Sequence, residues 1–413
     1  MMVKRRATAA MAGAAAAAAA ALAIAGCGSS GGGSSAGTAS GSPGTSSGNP
    51  VKIMVFGSFT QPPFPLEQIK VAAEAAVAHV NKAGGVNGRQ IDLIACDDQM
   101  SANGAAACGR EAVQDQVTAV VGAFTLFGDN IMPLLEQAKI PYILPVAISD
   151  MEVSNDLSFP IMSSASPAGA GMYLLKQDGC TTVVFTATQN AQSQASFTNF
   201  ALPVAKGIGI KTTFVPYATS TTDYTSVAQQ IANEGSCVIF GGGAQDTAAL
   251  VTALQQTGKK FTELPLSTIA FPQSTLTQLG SKANGVKVLS TFYFPSTNKP
   301  VVTQAVNEIK AINSSVPIDD TALNSYAAVL TFVQAADQVK GALTGEAVAQ
   351  VLESPGTVIN TGIFPPTNFS KDADFFPPAP RVAGAAFIPY VADNGSYVQD
   401  GSPIDLTKAK LGL

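Results

Sequence analysis

The chain has 413 residues, of which 46% are hydrophobic and only 12% charged, with 38 Gly, 25 Pro, five Cys, no Trp and a single His. One imidazole excludes a multi-His metal site and obliges any Ser-His-Asp or Cys-His chemistry to run through His79. A formal charge of −5 argues against nucleic acid, whose binding needs clustered Lys and Arg to displace counterions.

In chain order, the first segment reads as an export signal. Lys4, Arg5 and Arg6 precede an alanine-dominated apolar stretch from Ala7 to Ala25, and small residues lead into Ile24-Ala25-Gly26-Cys27. Those four residues resemble the bacterial lipobox, which implies that Cys27 is acylated and becomes the mature N-terminus after removal of residues 1–26. A transmembrane anchor of about 20 apolar residues is the alternative. Alanine is weakly hydrophobic, however, and the cysteine stands where cleavage would occur. Residues 27–50 continue in Gly, Ser, Thr, Ala and Pro, too polar and too small to bury a core. They read as a tether on the order of 25–30 Å long, leaving the membrane contacted through the lipid alone.

From residue 52 strands and helices alternate. Apolar runs predict strands over 53–56, 91–95, 119–121 and 142–144, and helical spacing predicts helices over 66–81, 105–114 and 131–138. The rhythm restarts with strands over 181–186, 211–215, 238–240 and 264–268 and helices over 194–204, 224–233 and 247–255. A strand over 286–294, helices over 301–311 and 323–339, a strand near 383–387 and a hairpin at Asp393-Asn394-Gly395 follow. Two consecutive βαβ runs imply an α/β fold of two doubly wound parallel-sheet lobes. In such sheets ligands sit beyond the carboxyl ends of the strands, so the loops after each strand are the places to inspect.

The cysteines fit an oxidising compartment. With Cys27 set aside, four remain. Cys96 and Cys108 are close in sequence, while Cys180 and Cys237 each precede a strand, and side-by-side parallel strands would bring their sulfurs together. The expected pairs are Cys96–Cys108 and Cys180–Cys237; free buried thiols are the alternative.

The order of several stretches resembles the leucine/isoleucine/valine-binding branch of the type I periplasmic binding proteins, which serve ABC importers. They are Ala78-His79-Val80-Asn81-Lys82-Ala83-Gly84-Gly85-Val86-Asn87-Gly88, Val120-Val121-Gly122-Ala123-Phe124-Thr125, Ala138-Lys139-Ile140-Pro141-Tyr142-Ile143-Leu144-Pro145, Thr222-Asp223-Tyr224-Thr225 and Ser325-Tyr326-Ala327-Ala328-Val329. The resemblance covers residues 51–400. It implies two lobes joined by three crossings, placed near residues 165, 290 and 350. The first lobe then comprises 51–165 plus 291–350, and the second 166–290 plus 351–413.

The same resemblance implies a ligand site. The family's first-lobe carboxylate-binding serine falls at Leu126, beside Thr125 and Phe124. Its next hydroxyl falls at Ile148, between Ala147 and Ser149. A second-lobe aromatic falls at Gly243, and the acidic partner of the α-ammonium at Ile269. Phe64 stands for a first-loop aromatic, and Gln189, Gln245 and Phe271 complete the candidate set. A zwitterion leaving water needs charged or hydrogen-bonding partners at both ends, so these departures point to a neutral or amphiphilic small molecule.

Other features read as structural. His79 belongs to a solvated helix face, Asp97-Asp98 to a surface turn, and Asp223-Tyr224 to a helix cap. Gly241-Gly242-Gly243 lacks the rest of a phosphate-loop motif. Phe375-Phe376-Pro377-Pro378 is either an exposed patch or packing against the hinge. The expectation is a monomeric, lipid-anchored, extracytoplasmic binding protein that delivers a small molecule to an ABC permease, with no cofactor, no metal and no catalysis. A ligand sensor of the same fold and an extracytoplasmic hydrolase are the alternatives.

Overall fold

The computed structural model describes residues 48–62, 65–164, 166–370, 379–384 and 386–407. The signal, Cys27, most of the tether, Phe64 and the Phe375-Phe376 stretch lie outside the described residues.

Strand β1 (Val51–Gly57) shows why the first sheet is covered on both sides. Ile53 and Val55 bury on one face with helices Glu67–Lys82 and Asp320–Ala336, while Met54 and Phe56 bury on the other with Ala102–Gln114 and Gly128–Ala138. A strand apolar on both faces suits a parallel sheet between helix layers. Its partners are β2 (Ile91–Asp97), β3 (Ala119–Val121), β4 (Tyr142–Ile143) and, after the short β5 (Val146–Ala147), β6 (Ser158–Phe159). The order is β2-β1-β3-β4-β6, all parallel, and β5 pairs with β7 (Met162–Ser163) just beyond it.

The second sheet repeats the plan. Strands β8 (Thr182–Thr188), β9 (Lys211–Tyr217), β10 (Cys237–Phe240) and β11 (Thr262–Pro265) are parallel in the order β9-β8-β10-β11. Val184, Val238 and Phe240 face helices Thr225–Glu234 and Ala244–Gln256, whereas Val183, Phe185 and Ile239 face Ser166–Gln177 and Leu202–Gly207. In both sheets the first strand lies second in order, so the winding reverses between β1 and β3 and between β8 and β10. Those reversals open crevices at the strand ends.

An antiparallel sheet closes the molecule. Strand β12 (Lys287–Ser290) pairs with β13 (Ala386–Asp393), which pairs with β14 (Ser396–Gln399) and β15 (Ile404–Asp405). Asp393 opposes Ser396 across a two-residue turn in which Asn394 and Gly395 both take positive φ, the conformation that tight hairpins favour.

Gly122, at the end of β3, has φ +58°, and a Cβ there would lie 2.5 Å from Ser325 Cα. Two of the stretches that carried the family resemblance thus pack directly on each other.

Cys96 joins Cys108, and Cys180 joins Cys237. The second pair bridges β8 and β10 at their amino ends, where Cys237 stands opposite Val183. Both pairings are those expected from the sequence.

Several expectations need correction. Residues beyond 350 remain on the first-sheet side: helix Gly345–Leu352 is tied by Glu346 to Lys139, Gln334 holds the N–H of Asn360, and Phe369 meets Phe159 edge-on. Farther along, the Ala383 N–H donates to the Pro160 carbonyl. The helix expected over 194–204 is divided into Ala191–Ala195, a π-helical turn Ser196–Ala201 and Leu202–Gly207. Asp98 is not on a surface turn but wholly buried. Asp223 accepts the Thr225 N–H, while Tyr224 begins the helix without a side-chain cap. His79 lies partly exposed with Nδ1 3.0 Å from Glu308 Oε1. Among the described residues no helix is long and apolar enough to cross a membrane.

Candidate functional site

The loops beyond the carboxyl ends of β3, β5, β7, β8, β10 and β11 surround a cavity of about 300 Å³. The first-sheet side supplies Phe124, Leu126, Val146, Ile148 and Met162, with Ser164 at its edge. The second-sheet side supplies Thr188, Asn190, Gln192, Ser193, Ser196 and Ser267, together with Gly241–Gly243 and apolar Leu266 and Ile269. Among the described residues, none that lines it is Asp, Glu, Lys, Arg or His.

Buried carboxylates hold these loops from behind. Asp98 accepts the Ser58 and Thr125 hydroxyls, each at 2.6 Å, and the Met100 N–H at 2.9 Å. Three strand-end loops thereby converge on one side chain. Thr125 also accepts the Phe127 N–H, so its hydroxyl is committed while its neighbours Phe124 and Leu126 face the cavity. Leu126 keeps 41% of its surface exposed, unusual for a large aliphatic side chain, and that surface is cleft wall.

Ser149 is likewise committed. It caps helix Asp150–Ser154 in a capping box with Glu152, whose Oε2 accepts the N–H groups of Ile148 and Ser149 at 2.9 Å. Glu152 is fully buried, and burial pushes its carboxyl up to about 7 against the lowering effect of those hydrogen bonds. On the far side, Asp320 accepts the Thr268 N–H at 3.2 Å, the Thr268 hydroxyl at 2.5 Å and the Ser290 hydroxyl. It heads a helix packed on the first sheet, so one carboxylate ties the loop presenting Ser267 and Ile269 to the other half of the molecule. Burial raises it to about 6.

Of the residues singled out in the sequence, Phe124, Leu126, Ile148, Gly243 and Ile269 meet around the cavity. Thr125, Ala147 and Ser149 stand behind it. Gln189 is exposed, with its backbone N–H bonded to the Tyr217 carbonyl. Gln245 lines a separate groove with Tyr224 and Gln278. Phe271 is completely buried, and its carbonyl accepts the Tyr397 hydroxyl. Sequence reading missed the polar group Asn190, Gln192, Ser193 and Ser196. A signal was present, since Asn190, Ser193 and Ser196 recur at a spacing of three directly after an apolar strand run.

The profile of the periplasmic binding protein family matches residues 51–379. The chain is 23% identical over 319 residues to Leu/Ile/Val-binding protein homolog 3 of Brucella melitensis biotype 1, a match covering 76% of this chain and 85% of that one. A fatty acid ABC transporter substrate-binding protein from Thermomonospora curvata is similar in structure, with TM-score 0.72, 17% identity, and 88% of this chain and 95% of that chain covered. So is a branched chain amino acid ABC transporter protein from Thermus thermophilus with bound valine, with TM-score 0.72, 16% identity, and coverage of 89% and 98%. At these identities the structural likeness speaks to the fold.

Proposed function

The chain belongs to the periplasmic binding protein family, in the branch of leucine/isoleucine/valine-type ABC transporter substrate-binding proteins, and we propose that its ligand is a neutral or apolar small molecule rather than a free amino acid. The observation that carries this reading is a cleft without a charged lining residue among the described residues. An α-amino acid would bring a carboxylate and an ammonium into it, and each would lose hydration worth several kcal/mol without a countercharge. The fold itself accommodates differing cargo, since one structural neighbour is named for a fatty acid and another holds valine.

In this proposal the protein is a monomer, exported by residues 1–26 and anchored to the extracytoplasmic side of the cell membrane by acylated Cys27. Its two lobes close on the ligand without chemical conversion and deliver it to a permease. Hinge closure suits two lobes whose strand ends face one cleft.

Thermal unfolding against a ligand panel tests the ligand class. A ligand at a hundredfold excess over its Kd adds about 2.7 kcal/mol of stability. Neutral alkyl compounds are expected to raise Tm by several degrees while leucine and valine leave it unchanged. The opposite ranking would overturn the proposal.

A further inference from the structure

We propose that the cleft orients an amphiphile, with an uncharged hydrogen-bonding head group against the helix beginning at Ala191 and an apolar body against the first-sheet loops. This deepens the neutral-ligand reading above and rests on it.

One wall of the cavity is apolar, while the opposite wall gathers the polar side chains beside Phe185, Leu266 and Ile269. Phe124, Leu126, Val146, Ile148 and Met162 form an aliphatic and aromatic wall on one side. Opposite them, Asn190, Gln192, Ser193 and Ser196 come from one short stretch at the end of β8. Asn190 Oδ1 accepts the Ser193 N–H at 2.8 Å and so fixes the first turn. The side chains of Gln192 and Ser196 have no hydrogen-bond partner among the described residues, leaving an amide and a hydroxyl available to a ligand. The helix then passes into the π-helical turn Ser196–Ala201, an irregularity frequent at functional sites.

The charge of the head follows from what surrounds Gly241–Gly243. These residues lead into helix Ala244–Gln256, and a helix N-terminus attracts anions. Here the first turn already carries Asp246, which accepts the hydroxyls of Tyr217 at 3.2 Å and Tyr224 at 2.7 Å. A carboxylate head would meet that like charge, and among the described residues no Lys or Arg lines the cavity to offset it. An ammonium head would find no lining carboxylate among those residues. An amide, hydroxyl or ester meets neither obstacle, because donors and acceptors are both present on Asn190, Gln192 and Ser196.

Calorimetric titration of the purified protein with hexanamide, octanamide, octanoate and leucine tests the assignment. Octanamide should bind at least tenfold more tightly than octanoate or leucine. Gln192→Ala combined with Ser196→Ala should reduce that preference about tenfold while retaining the gain from hexanamide to octanamide. Leu126→Ala should do the reverse, shrinking the chain-length gain and keeping the head-group preference. Circular dichroism melts of each variant verify folding, and Gln192→Glu provides a second probe that should weaken octanamide without removing side-chain volume. If octanamide binds best but the Gln192 and Ser196 variants leave its preference intact, the orientation is wrong and the neutral-ligand reading stands. If octanoate or leucine binds best, or if no probe binds, the orientation and its chemistry are overturned; tight leucine binding overturns the neutral-ligand reading as well.

Discussion

Glu152 illustrates how single residues shape this cleft without lining it. One carboxylate oxygen accepts two backbone N–H groups and fixes the turn from which Ile148 projects. Burial raises its carboxyl to about 7, raises Asp320 to about 6 and raises Glu263, on β11, to about 8. All three acids are raised above their unfolded values, so the folded state binds more protons than the unfolded one. The stability these three acids contribute is then fullest below about pH 4 and declines as pH rises through 6 to 8. Tm is expected to fall by several degrees between pH 5 and pH 8.5, and Glu152→Gln should flatten the portion of the curve near neutrality. A scanning-fluorimetry series in buffers of matched ionic strength checks this; a Tm that climbs over the same interval would overturn it. At this scale the sequence was least legible. Thr125 and Ser149 have the chemistry of ligand-binding hydroxyls, but whether a hydroxyl meets ligand or protein depends on partners such as Asp98, 27 residues away from Thr125.

At the scale of elements, long periodic segments were readable and short ones were not. Helix Glu67–Lys82 and strand β8 carry their pattern through two or more turns or repeats. Strands β4 to β7 are two residues each and take their conformation from neighbouring strands, so no window of local pattern reveals them all. The split of the helix after β8 was also hidden, since Ala, Gln and Ser tolerate either geometry. The Cys180–Cys237 bridge was legible because adjacent parallel strands imply adjacent ends, and Cys96–Cys108 because the two stand close in sequence. Their energetics follow from loop length. The Cys180–Cys237 bridge closes a sequence separation of 57 and Cys96–Cys108 one of 12, so chain entropy assigns about 4 and about 3 kcal/mol respectively. Replacing each pair by alanine and measuring urea midpoints should show the larger loss for Cys180 and Cys237. An equal or inverted ranking would mean that the unfolded chain is too compact for loop length to matter.

At the scale of the whole molecule, the proposed anchor is the part of the reading that a labelling experiment tests directly. Growth with radiolabelled fatty acid should label the wild-type protein, and Cys27→Ala should abolish the label; equal labelling of both would place the acyl chain elsewhere or dispense with it. The division of labour between sequence and structure is clearest here. Composition, βαβ alternation, the cysteine positions and the order of the family-like stretches are properties of the chain read locally, and they determined the two doubly wound sheets, both disulfides and the family. The tertiary structure decided which loop residues face the cleft and which stand behind it. Side-chain direction at a strand end turns on a shift of one residue, and on hydrogen bonds such as those joining Ser58, Asp98 and Thr125, or Thr268, Ser290 and Asp320, whose partners are brought together only by folding.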